Sequence, residues 1–159
     1  MTSSINIYHS MKNHFPLLSQ NNHLKIKQLV QAGQTPNLTL AYQLLQGQGF
    51  QRWQALSFIS YYLPIQRKHR LGVGEGYIDY NYQTLWTYRL DGVDFELIEE
   101  SEILLYLKTC LLINDKFYYL GTEFTDRKIT RQQRDQKHKE VLLCYLFEQQ
   151  DFIESLWIE

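Results

Sequence analysis

The chain has 159 residues, of which 44% are hydrophobic, and its formal net charge is −1 at pH 7. A chain of this length usually forms one domain, and it can bury about 70% of its unfolded surface without help from a metal or a disulfide. The apolar runs around residues 103–107 and 110–113 are too short to span a bilayer. Residues 1–15 lack the apolar core of a signal peptide. We therefore expect a cytoplasmic protein without a membrane partner, in which Cys110 and Cys144 are buried free thiols.

The formal charges are segregated along the chain. Residues 1–74 contain seven Lys or Arg and no Asp or Glu, whereas residues 75–126 contain eleven acids and three bases. Residues 127–159 contain six of each, and all six bases lie in residues 127–139. Such asymmetry can indicate a polyanion partner. We favour the alternative that the basic part packs beside the acidic part, within the chain or across a dimer, because net charge does not define a specific function.

The N-terminal part of the chain has helical spacing. Residues 22–32 place apolar side chains on one helical face, and Gly33 follows where a helix C-cap is expected. Residues 51–63 are apolar nearly all round, which is typical of a helix sandwiched between two layers. The connections are a few residues long, so neighbouring helices should be antiparallel.

A further helix is predicted between these two. Thr35 followed by Pro36 is the pattern of an N-cap and a proline at the first helical position. Apolar residues then recur at helical spacing, and Gly47 or Gly49 would end the helix.

A family resemblance lies in this region. After a helix and a glycine, the stretch that begins at Asn37 has the form Asn-x-x-Leu-Ala-x-Gln-Leu and is followed by another glycine. Residues 28–49 as a whole resemble a helical segment of bacterial leucine-rich-repeat and related helical-repeat proteins. The resemblance implies a protein-interaction setting and carries over no catalytic residue. No period of about 20–50 residues follows, so a solenoid is not expected.

A long strand that ends in a hairpin is the clearest β signal. From Ile78 to Leu90 every even-numbered residue is apolar, aromatic or threonine, and the odd positions are mostly polar. This period of two predicts a strand with one buried face. Asp91-Gly92 follows, which is a strong signal for a two-residue hairpin turn. The implied register makes the pairs Leu90–Val93, Tyr88–Phe95 and Trp86–Leu97 on one face and Arg89–Asp94 on the other.

More strands are predicted after this hairpin. Residues 103–113 and 117–124 are rich in β-forming residues and flank a turn at residues 114–116. Together with the first hairpin they would complete a four-stranded antiparallel meander. Residues 101–112 could instead form a helix, because a short apolar run fits both periods.

The C-terminal part is predicted to be helical. Thr130 with Gln133 forms a capping box that opens a helix extending to about Gln149. Asp151 with Glu154 repeats the pattern and predicts a short last helix docked on the core.

Two groups of bases are candidate polyanion-binding residues. Four of them recur at spacings of four, three and four and would line one helical face: Arg127, Arg131, Arg134 and His138. A second group precedes a glycine-rich stretch at residues 72–76: Arg67, Lys68 and Arg70. Contacts of such bases with phosphates give salt-dependent affinity, although a run of charges also forms an ordinary solvated face. The glycine-rich stretch does not fit a P-loop, because a strand follows it, and we expect a hinge there.

The acids of the predicted return strand are a candidate partner surface, made of Asp94, Glu96, Glu99 and Glu100. Asp94 and Glu96 would share a face and could bind a hard cation or act as acid and base. A solvent-facing side of the sheet explains the same pattern. The five histidines have no metal-ligand spacing, and no serine lies in a nucleophile elbow. We therefore predict no catalytic residue, no metal site and no cofactor.

Together these patterns predict one α+β domain over residues 1–159. A helical layer of about three helices, within residues 1–70, packs on the antiparallel meander at residues 77–124, and C-terminal helices occupy residues 130–158. The favoured function is a non-enzymatic intracellular interaction or regulatory domain whose partner is another protein or a second copy. Nucleic-acid or other polyanion binding is the first alternative. A small-ligand site or an enzyme on the aromatic sheet face is the second.

Overall fold

The computed structural model describes residues 13–70, 82–102, 106–124 and 129–158. Three helices come first within these ranges: α1 Gln20–Ala32, α2 Thr35–Gly47 and α3 Arg52–Tyr62. Strands follow: β1 Lys68–His69, β2 Tyr82–Leu90, β3 Val93–Glu102, β4 Tyr106–Ile113 and β5 Lys116–Phe124. The last two helices are α4 Arg131–Glu148 and α5 Gln150–Ser155. The chain is therefore an α+β protein, as predicted.

The described strands form one sheet in the order β1-β2-β3-β4-β5, and all neighbours are antiparallel. The sheet has five strands where four were predicted, because Lys68 and His69 pair with Thr84 and Gln83 of β2. Two residues are too few to show a period, so β1 carries no sequence signal of its own. The predicted hinge at residues 72–76 lies outside the described residues.

Local sequence signals explain where the N-terminal helices begin and end. The Ser19 side chain accepts a hydrogen bond from the backbone N–H of Asn22, and Gly33 ends α1 with a φ of 75°. Helix α2 starts at Thr35, so its N-cap is Gln34 and the predicted cap was one residue late. All eight residues from Trp53 to Ser60 are buried in α3. This confirms that α3 is sandwiched between layers.

The β2–β3 hairpin has the predicted register. Leu90, Tyr88 and Trp86 pair with Val93, Phe95 and Leu97. Asp91 and Gly92 have φ values of 48° and 84°, which is the left-handed geometry of a two-residue hairpin turn.

The period of two does not run through the whole of β2. A β-bulge lies between Thr84 and Trp86, and the extra residue, Leu85, is buried. A bulge inserts one residue and thereby exchanges the faces of the strand on either side of it. Tyr82 and Thr84 therefore lie on the face opposite to Trp86, contrary to the prediction of a single buried even-numbered face. The predicted start of the strand, Ile78 to Asn81, lies outside the described residues.

The ambiguous segment is a strand where it is described. Tyr106 to Ile113 form β4, which pairs with both β3 and β5. Asn114 and Asp115 form the next turn with φ values of 50° and 66°. Residues 103–105 are not among the described residues.

The helices pack on one face of the sheet, which we call the inner face. Trp86, Tyr88, Phe95 and Leu97 of this face belong to the same buried cluster as the apolar residues of the helices. The hydroxyl groups of Ser60 in α3 and Tyr88 in β2 lie 3.2 Å apart, and Trp157 donates its indole N–H to the carbonyl of Leu90 at 3.1 Å. The C-terminal segment is thereby attached to the hairpin end of the sheet.

The C-terminal helices begin in two different ways. The capping box of α4 is present, with reciprocal hydrogen bonds between Thr130 and Gln133 of 2.9 and 3.1 Å. Helix α5 starts at Gln150 without a side-chain cap, so the predicted second capping box is wrong. The Glu154 carboxylate instead accepts the backbone N–H of Trp53 at 2.9 Å and caps α3.

Candidate functional site

A buried ionic cluster lies between the inner face of the sheet and helix α4. At its centre is Glu99 of β3, whose side chain is fully buried. One carboxylate oxygen of Glu99 accepts hydrogen bonds from Arg67 at 2.7 Å and from Arg134 at 2.6 Å. The other oxygen lies 2.7 Å from Nε2 of the fully buried His138. Arg67 also donates to Asp135 at 2.5 Å, so the two arginines and the two acids balance in charge.

The environment of Glu99 keeps it ionised. Burial raises the pKa of this carboxyl, but the hydrogen bonds and positive charges of His138 and Arg67 outweigh burial. They lower the pKa from its ordinary value of 4.5 to about 2. A buried carboxylate of this kind is stable only while its partners stay in place.

The same cluster contains a hydroxyl, an imidazole and a carboxylate in series. The Thr109 hydroxyl lies 2.7 Å from Nδ1 of His138, whose Nε2 faces Glu99. Because a carboxylate only accepts, the Nε2–H of His138 donates to Glu99, and Nδ1 shares a hydrogen bond with the Thr109 hydroxyl. This is the connectivity of a nucleophile, base and acid. All three side chains are buried, however, and none lines the edge cavity described below. We infer that the series fastens α4 to the sheet.

The structure separates the predicted polyanion-binding residues. Arg134 and His138 contact Glu99, so the helical face that they share turns towards the sheet. In the second group Arg67 contacts Glu99, and Arg70 forms an ion pair with Glu96 at 2.8 Å.

The remaining candidates of this kind differ in exposure. Arg131 and Lys68 are exposed, while Arg127 lies outside the described residues. The described bases of the C-terminal helix therefore do not form one exposed basic stripe.

The predicted acidic partner surface is divided between the two faces of the sheet. Glu99 is on the inner face, whereas Asp94, Glu96 and Glu100 are on the opposite face, which we call the outer face. Glu96 accepts hydrogen bonds from Arg70 and, at 2.6 Å, from Thr84. Glu100 forms an ion pair with Lys108 at 3.3 Å, and the exposed Asp94 forms one with Arg89 at 3.6 Å. Asp94 and Glu96 thus share a face as predicted, but Glu96 is occupied by Arg70.

A cavity of about 570 Å³ lies at the β1 edge of the sheet. We call it the edge cavity. Its walls come from the α1–α2 connection, the segment after α3, β1 and the bulged part of β2. The lining includes three glutamines, three basic side chains and an apolar patch: Gln31, Gln34, Gln66, Lys68, His69, Arg70, Leu63, Pro64 and Trp86. Trp86 is 5% exposed, and its indole N–H is buried without a hydrogen-bond partner among the residues that the structure describes.

The opposite edge of the sheet carries exposed aromatic side chains. Phe117 and Tyr119 of β5 are 44% and 56% exposed. They pair with Leu112 and Cys110 of β4 on the outer face. Leu112 and Cys110 are buried and form a cluster with Ile98, so the exposed aromatic pair borders a buried apolar cluster.

Sequence reasoning missed the role of Glu99, although a signal for it existed. The predicted hairpin register places Val93, Phe95 and Leu97 on the inner face, and Glu99 is the next residue of that face. An acid at the end of an apolar series predicts a buried charge that needs basic partners. No local signal identifies Arg67, Arg134 or His138 as those partners, because they lie on other elements.

No family model matches the chain, and no curated protein or solved structure shows a significant similarity to it. Among the described residues no helix is both long and apolar enough to cross a membrane. The described part of the chain also contains no group of three or more His, Cys, Asp or Glu residues arranged to hold a metal ion.

Proposed function

We propose that this chain is a protein-interaction domain that self-associates through strand β5. The observation that carries the proposal is the pair of exposed aromatic side chains, Phe117 and Tyr119, on a strand that ends the described sheet. A terminal strand presents unpaired backbone N–H and C=O groups along its outer side, and proteins usually protect such an edge with charge, proline or a cover.

The sequence of β5 supplies neither charge nor proline along most of its length. Between Lys116 at its start and Glu123 near its end, the strand has no charged residue and no proline. Exposed aromatic surface beside an open edge is typical of strand addition, in which main-chain hydrogen bonds supply affinity and side chains supply specificity.

A second copy of the chain fits this edge. Antiparallel pairing centred on Tyr118 places Phe117 of one copy opposite Tyr119 of the other, twice by symmetry. Both side chains point to the outer face, so the two aromatic pairs would form on that face. Cross-strand aromatic pairs contribute about 0.2–1 kcal/mol each. Because such an interface is small, the expected dimer is reversible and weak.

Sedimentation velocity over two decades of protein concentration tests this proposal. The wild-type chain should shift from monomer to dimer as concentration rises. Replacing both aromatics, by Phe117→Thr with Tyr119→Thr, should leave a monomer, because threonine keeps β propensity while removing the aromatic contacts.

The matched control is Leu40→Gln, which removes an exposed apolar side chain from α2 and should leave the dimer unchanged. A wild-type chain that stays monomeric at all concentrations would contradict the proposal. So would a dimer that survives the double substitution in β5.

A further inference from the structure

The edge cavity has the size and chemistry of a small-molecule site. Its volume of about 570 Å³ lies within the range of about 300–1,000 Å³ that is usual for ligand pockets. It combines an apolar wall, formed by Leu63, Pro64 and Trp86, with amide groups that can both donate and accept hydrogen bonds. Such a wall accommodates a planar ring whose edge carries polar atoms.

The charged groups of the edge cavity favour an anion. Lys68, Arg70 and Glu96 line the cavity, so two positive charges stand against one negative charge, with His69 beside them. Arg70 already donates to both oxygens of Glu96 at 2.8 and 2.9 Å. The charge of Lys68 is therefore the most accessible one for a ligand, because Lys68 is exposed.

The start of helix α2 adds to this preference. Gln34 is the N-cap residue of this 13-residue helix and lines the cavity, but its side chain makes no capping hydrogen bond. An uncapped helix N-terminus attracts anions through its backbone N–H groups and its dipole. A lysine acting as a point charge beside such a terminus suits a phosphate group. Arg70 donates to Glu96 through Nη1 alone, so its positive charge also remains beside Lys68 at the cavity wall.

The wall of the edge cavity also contains a buried polar group, the indole N–H of Trp86. This N–H is buried and has no acceptor among the described residues. A buried donor without an acceptor is costly, so native proteins rarely keep one unsatisfied.

We propose that the edge cavity binds a phosphate monoester that carries a planar heterocyclic body. The phosphate lies near Lys68 and Gln34, the N-cap residue of α2. The ring lies against Trp86, Leu63 and Pro64, and its polar edge meets Gln31 and Gln66. This site is at the opposite edge of the sheet from β5, so it does not depend on self-association.

Isothermal titration calorimetry with AMP and adenosine as probes tests the proposal on the full chain. AMP should bind saturably and at least about tenfold more tightly than adenosine, because only AMP carries the phosphate. Added salt should weaken the binding of AMP, because the charges at this exposed cavity are screened. Equal affinity for the two probes, or the absence of binding by both, would overturn the proposal.

Two substitutions locate the site. Lys68→Gln removes the accessible charge and should weaken AMP binding at least about tenfold. Gln34→Asp supplies the missing cap to α2, so it should raise the melting temperature while its carboxylate repels the phosphate. The matched control Lys25→Gln removes an exposed lysine of α1 that does not line the cavity and should bind AMP normally. Wild-type affinity in either folded cavity variant would overturn the proposal.

Discussion

Glu99→Gln is the substitution that most directly tests the buried ionic cluster. The amide keeps the volume of the carboxylate but removes its charge and one of its two acceptors. Arg67 and Arg134 then share a neutral oxygen, and the Nε2–H of His138 faces an NH₂ group or loses its acceptor. The guanidinium groups of Arg67 and Arg134 then have less negative charge beside them. A buried charge without its counter-charge is what makes a broken buried ion pair destabilising.

The magnitude follows from the pKa of Glu99. The structure lowers this pKa from 4.5 to about 2. Each pKa unit corresponds to about 1.4 kcal/mol, so the folded protein stabilises the charged carboxylate by about 3 kcal/mol. Removal of one partner from a buried ion pair costs about 3–5 kcal/mol in other proteins. We therefore expect Glu99→Gln to lower the free energy of unfolding by about 3 kcal/mol at pH 7.

The pH dependence has a definite sign. Because the folded-state pKa is below the ordinary value, the unfolded state takes up the proton first as the pH falls. The stabilisation from Glu99 is complete above about pH 5 and is lost as the pH falls towards 2. The difference in stability between wild type and Glu99→Gln should shrink over this window.

Urea unfolding at pH 7 and at lower pH measures both effects, provided that the m-value is unchanged. Glu100→Gln is the matched control, since Glu100 is the next residue of β3, lies on the outer face and pairs with the part-exposed Lys108. An ion pair of this kind contributes under about 1 kcal/mol. Equal losses in the two variants would refute the view that Glu99 is held by a buried cluster. A Glu99→Gln deficit that is constant with pH would refute the charge as its cause.

The remaining predictions concern turns, caps and thiols. Gly92→Ala should lower the free energy of unfolding by about 1 kcal/mol, because Gly92 has a φ of 84°. Gly47→Ala, in helix α2, should raise it by about 0.5–1 kcal/mol. Changes of the same sign in urea unfolding would contradict this. Thr130→Ala should lower stability by about 1 kcal/mol through loss of the α4 cap, and Thr130→Ser should not; equal thermal stability of the two variants would refute the cap. Burial raises the pKa of Cys110 to about 12. A thiol reagent should therefore modify the half-buried Cys144 first and Cys110 only after unfolding. Equal modification rates of the two cysteines in the native protein would count against this.

Residue patterns were sufficient for much of the fold. The α+β class, the three N-terminal helices, the hairpin register and the α4 capping box all follow from neighbours within a few residues of each other. Asp91-Gly92 is the clearest case, because the left-handed conformation of a two-residue turn is a property of those residues themselves. Once the turn is known, the register of Leu90 with Val93 and of Tyr88 with Phe95 is determined by counting.

Long-range contacts decided what local patterns did not. The bulge at Leu85 and the pairing of β1 with β2 depend on strands meeting across the sheet. The Glu154 carboxylate caps α3, 101 residues away, although its local pattern predicted a cap for α5. Each of these contacts joins segments that meet only in the folded chain, so residues within a few positions of each other do not predict it.

The functional surfaces show the same division. The order of residues shows that bases cluster in the segments around Arg67 and Arg134 and that acids cluster on β3. The folded chain brings Arg67, Arg134 and His138 together on Glu99, so that these groups interact with one another inside the protein. A charge pattern shows which side chains are ionisable, whereas burial and distance determine whether their charges reach a partner outside the chain. The edge cavity and the exposed aromatic edge of β5 likewise exist only once the sheet is assembled.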